Sequence, residues 1–291
     1  MCQPTSRLLP GNSSASRLAS RTASRSKRSS PSPQSKQMQI HQFESGLHGR
    51  VALITGAAVG NGSAFCERLA EEGASIAIVD IADASATVAA VRQITDRVCA
   101  YRGDLTVPDV VRQIVEQVVA EFGRIDVLVH NVGLYEEEPF ELLTFEQWKR
   151  MLTVCLDSLF LVTHAVVPIM KRNTFGRIIA LSSDTVWLGT PYLVHYVTAK
   201  SAIIGFVRSL AAEVGQYGIT VNAVTVGLTA TQDPTDRPMN RALLKDILPQ
   251  QCIHRADEPH DIANVVAFLA MPAASIITGQ AINVDGGVAR H

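Results

Sequence analysis

The chain has 291 residues, 47% of them hydrophobic and 18% charged, so it contains enough apolar material for a large buried core. The formal net charge of −1 conceals an asymmetry, because residues 1–43 hold seven of the 26 basic residues and none of the 27 acidic ones. The remainder has 19 basic and 27 acidic residues, a net charge of −8. An acidic body of this kind excludes nucleic acid as an expected partner.

The cysteines form no CxxC pair and have no metal-ligand spacing, so we expect no metal site and a reducing compartment (Cys2, Cys66, Cys99, Cys155 and Cys252). No apolar run approaches the roughly 20 residues that span a bilayer. We therefore expect a cytoplasmic protein that does not enter a membrane.

Residues 1–46 are rich in Ser and Arg, contain four prolines and have few large apolar side chains. Such a segment cannot bury enough surface to offset its ordering entropy, which predicts a disordered extension before a single domain at 47–291. The extension is interpreted as inert, as a transit-like segment or as a basic tail for an anionic surface. The lack of amphipathic periodicity favours the inert extension.

From residue 49 onward, strand-like and helix-like segments alternate. Several of the strand-like segments are nearly continuous apolar runs, as expected for strands covered on both faces; they are Val51–Thr55, Ser75–Asp80, Val98–Arg102, Asp126–His130, Arg177–Ser182, Ile219–Thr225 and Ala281–Val284. Thr144 with Gln147, and Glu258 with Pro259, are typical helix starts. The alternation predicts one Rossmann-like α/β domain, a doubly wound parallel sheet of about seven strands with helices on both faces.

The first predicted strand leads into Thr55-Gly56-Ala57-Ala58-Val59-Gly60-Asn61-Gly62 and then into a helix from about residue 63. Glycines allow a tight turn and close approach to a pyrophosphate at a helix N-terminus, although three glycines after a strand are also found in plain turns. Asp80 ends the second strand 18 residues after Gly62, where a carboxylate accepts hydrogen bonds from an adenosine ribose. That carboxylate repels a 2′-phosphate, and no Lys or Arg lies within 57–61 or directly after Asp80. NAD(H) is therefore predicted rather than NADP(H).

Tyr196 and Lys200 are four residues apart in a segment of helical period that runs to about Val214, so they share one helix face. A neighbouring ammonium favours the phenolate, and we expect Lys200 to lower the pKa of Tyr196 towards the working range. Ser183 lies thirteen residues earlier, just past a predicted strand, where α/β sheets place ligands. The three residues predict a site for proton transfer to a substrate oxygen.

These motifs, with Asn131-Val132-Gly133 and the closing ITGQAINVDGG, resemble the short-chain dehydrogenase/reductase family over about residues 47–291. LTFEQWKRM, SSDTVWLGTP, HYVTAK and VDGGVARH further resemble its (S)-1-phenylethanol and pyridoxal 4-dehydrogenase group. The resemblance implies that Tyr196 is the general acid/base, that Lys200 lowers its pKa and holds the nicotinamide ribose, and that Ser183 hydrogen-bonds the substrate oxygen. It also implies a homotetramer packed through the helices at 144–170 and 192–214.

The resemblance further implies which residues bind the cofactor. Besides Tyr196 and Lys200, they are Gly56, Val59, Gly60, Asn61, Gly62, Asp80, Asp104, Leu105, Asn131, Gly133, Gly227, Thr229 and Thr231. Asp104 is expected at the adenine edge and Thr231 at the nicotinamide carboxamide.

Two positions depart from the family pattern. Cys155 stands where the family usually has a catalytic Asn, and Val226 precedes Gly227 where it favours Pro. A thiol is a weak hydrogen-bonding group, so we expect weakened proton shuttling and interpret Cys155 as a small apolar filler rather than a reactive thiol. His195, beside Tyr196, is expected to line the pocket or an interface rather than to transfer protons.

The sequence thus predicts an NAD(H)-dependent enzyme that interconverts a secondary alcohol and a ketone with an apolar or aromatic group. The expected pocket residues come from the loop after Ser183 and from the lid at 228–249; they are Trp187, Leu188, Tyr192, Met239 and Leu243. Two alternatives stay open, a 3-oxoacyl-thioester reductase and a catalytically weak NAD-binding sensor or scaffold.

Overall fold

Seven parallel strands form one sheet in the computed structural model, which describes residues 46–231 and 245–290. The order across the sheet is β3-β2-β1-β4-β5-β6-β7. The strands are β1 (Val51–Thr55), β2 (Ser75–Asp80), β3 (Val98–Arg102), β4 (Val127–His130), β5 (Gly176–Ser183), β6 (Ile219–Val226) and β7 (Ala281–Val284). All seven predicted strands are confirmed, and their ends differ from the prediction by no more than one residue.

The helices occupy the connections between the strands. They are α1 (Gly60–Glu71), α2 (Ser85–Val91), α3 (Pro108–Phe122), α4 (Phe145–Leu152), α5 (Ser158–Asn173), α6 (Thr185–Leu188), α7 (Val194–Val214) and α8 (Pro259–Ala270). A π-helical turn, Thr153–Asp157, joins α4 to α5. The capping box that Thr144 and Gln147 predict is present, and Pro259 opens α8 as expected.

Two hydrophobic layers cover the sheet. Ala52 and Ile54 of β1 face a layer that includes buried residues of α1 and α8, and Val51 and Leu53 face a layer built by α3, α5 and α7. Successive side chains of a strand point to opposite faces, so an unbroken apolar strand requires helices on both sides. The doubly wound fold class is confirmed.

One helical stretch of the described residues, Phe145–Asn173, is long and apolar enough by length and composition to cross a membrane. The expectation that no such run exists was therefore wrong. This is weak evidence for a membrane span, because core helices of soluble proteins pass the same test, and Leu159, Val162 and Val166 are buried in the core here. The predicted extension at 1–46 lies outside the described residues except for Gly46, so it stays a prediction.

Candidate active site

The candidate site consists of two adjoining clefts at the carboxyl ends of the strands, where open α/β sheets bind ligands. The first, of about 780 Å³, lies over the glycine loop and Asp80, and the second, of about 630 Å³, over Ser183, Tyr196 and Lys200. Both clefts are lined by Asn61, Asn131, Gly133, Leu134 and Thr231. An elongated ligand can therefore extend from Asp80 to Tyr196.

The glycine loop delivers the N-terminus of α1 to the first cleft. Gly56 and Gly60 have φ of +63° and +62°, a backbone conformation that favours glycine. Val59, the N-cap of α1, makes no side-chain cap, and the first turn holds no acidic residue. The free N–H groups and the positive end of the helix dipole are thus available to an anion.

Gly62 differs from the prediction, because it does not line either cleft. A Cβ added at this position would lie 2.2 Å from the carbonyl oxygen of Gly56. The glycine therefore allows α1 to pack closely against the loop, and it shapes the loop rather than lining a cleft.

Asp80 lines the first cleft and also holds the loop in place. Its Oδ2 accepts a hydrogen bond from the backbone N–H of Ala58 at 2.8 Å, and its Oδ1 accepts one from Ala82 at 2.9 Å. Arg102 pairs with Asp80 across the sheet and donates to the carbonyl of Ile81 at 2.9 Å. Sequence reasoning considered only the neighbours of Asp80 along the chain and therefore missed Arg102. The Arg102 side chain does not line the cleft.

The other predicted cofactor residues lie in or beside the two clefts. Val59, Asp104 and Leu105 line the first, and Gly227 and Thr229 line the second. Asn131 donates from Nδ2 to the carbonyl of Gly56 at 2.7 Å, so it supports the loop as well as lining both clefts.

The residues fit a dinucleotide on three observations. The N-terminus of α1 is uncapped, Asp80 lines the cleft, and the buried Oδ1 of Asn61 has no hydrogen-bond partner among the described residues. Such an acceptor needs a donor from a ligand or water. Within 46–231 and 245–290, no group of three or more His, Cys, Asp or Glu residues is placed to hold a metal ion.

The structure brings the three predicted catalytic residues together in the wall of the second cleft. Ser183 ends β5, and Tyr196 and Lys200 lie in the first two turns of α7, all three being at most 9% exposed. The Lys200 Nζ donates to the carbonyl of Leu181 at 2.9 Å and lies 5.8 Å from the centroid of the Tyr196 ring.

The electrostatics of this group differ from the expectation. Burial raises the pKa of Tyr196 above its ordinary value, and a hydrogen bond with Ser183 lowers it in part. The expected lowering of the Tyr196 pKa is not found; the Lys200 Nζ donates to the Leu181 carbonyl, and burial lowers the pKa of Lys200 itself. Tyr196 is therefore held as a neutral phenol, the form that donates a proton to a ketone oxygen.

Asp184 is a buried carboxyl group beside Ser183 that sequence reasoning missed. The Ser183 hydroxyl donates to Asp184 Oδ1 at 3.2 Å and accepts from the Thr185 hydroxyl at 2.9 Å. Burial and the nearby carboxylate of Asp285 raise the pKa of Asp184 to about 6. The signal was its position directly after the serine at the end of a strand.

Cys155 is fully buried in the π-helical turn. Its Sγ accepts from the backbone N–H of Leu134 at 3.4 Å and lies 3.6 Å from the Sδ of Met151. These surroundings agree with the interpretation as a small apolar filler. His195 is buried, its Nδ1 has no hydrogen-bond partner within 46–231 and 245–290, and, contrary to one expectation, it does not line the second cleft.

The predicted substrate residues are only partly in place. Leu188 and Tyr192 line the second cleft, but Trp187 does not, because it packs against the core and its Nε1 donates to the Thr225 hydroxyl at 3.3 Å. Met239 and Leu243 lie outside the described residues. Sequence reasoning missed Tyr135, whose ring lies edge-on to Tyr196 at 5.1 Å between centroids.

Comparisons with known proteins agree with this geometry. Residues 56–289 match the sequence model of a family described as enoyl-(acyl carrier protein) reductase. The short-chain reductase protein NovJ of Streptomyces niveus is 38% identical over 81% of this chain and 93% of its own length. A 3-oxoacyl-[acyl-carrier-protein] reductase of Thermotoga maritima is 34% identical over 83% and 98%.

Solved structures give the same result. A short-chain dehydrogenase/reductase from Serratia marcescens has a TM-score of 0.78 and 33% identity, with 84% of this chain and 99% of that chain covered. A structure described as a putative short-chain alcohol dehydrogenase from Sinorhizobium meliloti has a TM-score of 0.80 and 29% identity, with 84% of this chain and 97% of that chain covered.

The fold and the site therefore define an oxidoreductase that uses a nicotinamide cofactor. The chain belongs to the short-chain dehydrogenase/reductase family, as the sequence motifs predicted.

Proposed function

We propose that this protein interconverts a secondary alcohol and a ketone with NAD(H), and that the substrate carries an apolar or aromatic group. The observation that carries the proposal is the burial of Ser183, Tyr196 and Lys200 together in a cleft that adjoins the one lined by Asp80.

The chain's own residues handle the proton while the nicotinamide, when bound, accepts or supplies the hydride. Tyr196 gives its phenolic proton to the ketone oxygen during reduction and takes it back during alcohol oxidation. Ser183 turns its hydroxyl from Asp184 to the substrate oxygen and stabilises the charge that develops there. Lys200 supplies positive charge beside the phenol and would hold the cofactor ribose.

The preference for NAD(H) rests on Asp80, whose carboxylate repels a 2′-phosphate in the same cleft. Asp80→Asn should lower the ratio of kcat/KM for NADH to that for NADPH by about tenfold, a change of about 1.4 kcal/mol. Asp83→Asn removes a carboxyl group close by that does not line the cleft, and should leave the ratio unchanged. An unchanged ratio in Asp80→Asn would contradict the cofactor assignment.

A 3-oxoacyl-thioester reductase is the second candidate, favoured by relatives named 3-oxoacyl-[acyl-carrier-protein] reductase at 34–36% identity. Phosphate-bearing carriers need basic residues at the pocket. Among the described residues, the charged side chains lining the second cleft besides Lys200 are Glu137 and Asp184, both acidic. This charge supports an uncharged ketone as the substrate.

A panel of aliphatic and aryl ketones and 3-oxoacyl thioesters, followed through NADH consumption, tests the proposal. Tyr196→Phe should abolish ketone turnover, whereas Tyr217→Phe, in a half-exposed tyrosine beside Lys171, should leave it unchanged. Turnover of thioesters alone would support the second candidate. Cofactor binding without turnover of any substrate would support a sensor or scaffold.

The proposed assembly is a homotetramer packed through the helices at 144–170 and 192–214. Phe145 and Phe160 on the first of these helices are 67% and 51% exposed in the single chain, which supports a covering partner. A monomeric mass by light scattering at micromolar concentration would contradict it. A cytoplasmic location stays a prediction.

A further inference from the structure

His130, the last residue of β4, is a buried titratable residue that the proposed reaction does not use. Its side chain is 1% exposed and makes a hydrogen bond from each ring nitrogen. Nδ1 lies 3.1 Å from the hydroxyl of Thr55, which opens the glycine loop, and Nε2 lies 3.1 Å from the hydroxyl of Ser158 at the start of α5. Thr55 and Ser158 are fully buried.

The groups at the two ends of this series of hydrogen bonds fix the direction of each bond in it. The Ser158 hydroxyl donates to the carbonyl of Val154 at 2.5 Å, so its oxygen accepts a hydrogen bond from the His130 Nε2–H. In a neutral imidazole Nδ1 then carries a lone pair and accepts from the Thr55 hydroxyl. The Thr55 oxygen in turn accepts from the backbone N–H of Asn131 at 3.3 Å.

The imidazole is held neutral by its surroundings. Burial, and the positive charge of Lys200 nearby, lower the pKa of His130 to about 3. Protonation would also give Nδ1 a hydrogen directed at a hydroxyl that needs an acceptor for its own proton. His130 therefore keeps one tautomer over the working pH range and does not exchange protons with the substrate.

We propose that His130 is a positioning residue that fixes the glycine loop and the π-helical turn relative to each other. At one end Asn131 also donates to the carbonyl of Gly56, so the Thr55 bond is part of the support of the loop. At the other end the carbonyl of Val154 belongs to the turn that buries Cys155, and Val154 lines the first cleft. The two walls of the cofactor cleft are thus joined through one imidazole.

Two substitutions separate the two hydrogen bonds. His130→Asn places an amide near the position of Nδ1 and retains the bond to Thr55 but loses Ser158. His130→Gln places its amide nitrogen near the position of Nε2 and retains the bond to Ser158 but loses Thr55. Comparing the two variants shows whether the bond to Thr55 holds the glycine loop and the bond to Ser158 holds the π-helical turn.

We expect His130→Gln to raise the NADH dissociation constant, measured by calorimetry, by about fivefold, with amide exchange of 153–158 unchanged. His130→Asn should leave that constant within about twofold, and should speed exchange of 153–158 and lower kcat by about fivefold. Ser158→Ala should reproduce the His130→Asn results, and combining these two substitutions should add nothing further. His260→Asn, in an exposed histidine of α8 outside the helices proposed to pack between subunits, is the control and should change none of these quantities.

Equal changes in both His130 variants, or additive effects of His130→Asn and Ser158→Ala, would overturn the proposal. Ser158→Ala removes a single hydroxyl and still tests the Val154 end if the histidine variants do not fold. The kcat readout rests on the proposed function, whereas NADH affinity and amide exchange do not. A wild-type protein inactive on every ketone would refute that function and leave this inference testable.

Discussion

The surroundings of buried charged groups differ between the two ends of the parallel strands, which we call the amino edge and the carboxyl edge of the sheet. At the amino edge, the fully buried carboxylate of Asp126 accepts from Arg50 at 3.2 Å, from Arg124 at 2.5 Å and from the backbone N–H of Val51 at 3.0 Å. Arg177, also buried, donates to the carbonyls of Gly176 and Gly218. Asp126 therefore has partners of opposite sign. Burial and the nearby positive charge of Arg50 lower the pKa of Arg177 to about 10, and its Nε has no hydrogen-bond partner among the described residues.

At the carboxyl edge the buried ionisable groups are desolvated, and the carboxyl groups among them lie near one another. Burial raises the pKa of Tyr196 and lowers that of Lys200, and Asp184 and Asp257 both have a pKa of about 6 because of burial and the Asp285 carboxylate. Such groups reduce stability but are suited to proton transfer and ligand binding. The amino edge therefore stabilises the domain, and the carboxyl edge provides its chemistry.

The largest expected effect is on activity at the carboxyl edge. Lys200→Met should lower kcat/KM for ketone reduction by about 10³-fold. Since the ammonium is desolvated, the same substitution should not lower the melting temperature. Lys171→Met, which removes an exposed cation–π contact with Tyr217 at 4.6 Å, is the matched control and should leave activity intact. A small kinetic effect of Lys200→Met would remove the basis of the comparison.

Next is the loss of stability expected at the amino edge. Asp126→Asn leaves Arg50 and Arg124 beside a neutral amide and should destabilise the fold by about 3 kcal/mol. The melting temperature should then fall by roughly 6–12 °C. Activity per folded molecule should not change, because Asp126 lies at the far edge from the clefts. A loss of kcat equal to that of a carboxyl-edge variant would show that the two edges are coupled.

An Asp-to-Asn substitution at the carboxyl edge should instead stabilise the fold. Because the pKa of Asp257 is raised to about 6 in the folded state, folding takes up a proton between about pH 4 and 6, and stability falls as pH rises through that window. Asp257→Asn should therefore raise the melting temperature by about 3–6 °C at pH 7.5.

The pH dependence is the control for this prediction. Below about pH 4 the carboxyl is protonated in both states, so the stabilisation by Asp257→Asn should disappear there. A melting temperature that falls at pH 7.5, or a gain that is the same at both pH values, would show that the Asp257–Asp285 repulsion is not a cause of instability.

The smallest expected effect concerns Cys155. Cys155→Ala removes the Sγ that accepts from Leu134 and should destabilise the fold by about 1 kcal/mol. Because the thiol packs among apolar groups, kcat should stay within about threefold of the wild-type value. A tenfold loss of kcat with unchanged melting temperature would instead assign Cys155 a part in proton transfer.

Local pattern was sufficient for most of the fold. Buried strands have an apolar signature, and β1 and β2 were predicted to the residue. The ends of β3 and β7 were also predicted to the residue, although these two strands are only partly buried. The π-helical turn at 153–157 was not predicted, because a single extra residue per turn leaves no mark in a helical pattern.

The central residues of the candidate site were predicted, but their electrostatics and part of the cleft lining were not. The spacing of Ser183, Tyr196 and Lys200 placed them together, whereas the raised pKa of Tyr196 depends on burial that no spacing reveals. Trp187 was assigned to the pocket from its loop position, yet the direction of its side chain is set by Thr225 on a neighbouring strand. Asp184, Asp257 and Asp285 are distant in sequence and meet only through the sheet topology.

The two hydrogen bonds that Asp80 accepts limit how cofactor preference can be re-engineered. Its carboxylate accepts hydrogen bonds from the backbone N–H groups of Ala58 in the loop and of Ala82 after β2, and it would also accept from a ribose in the cleft. Replacing it with a small or basic residue to admit a phosphorylated cofactor would leave the N–H of the buried Ala58 without this acceptor, whereas the N–H of the exposed Ala82 can donate to water. A successful switch therefore needs a second substitution that restores an acceptor at Ala58, and libraries that vary residue 80 alone should yield mainly proteins with a weakened loop.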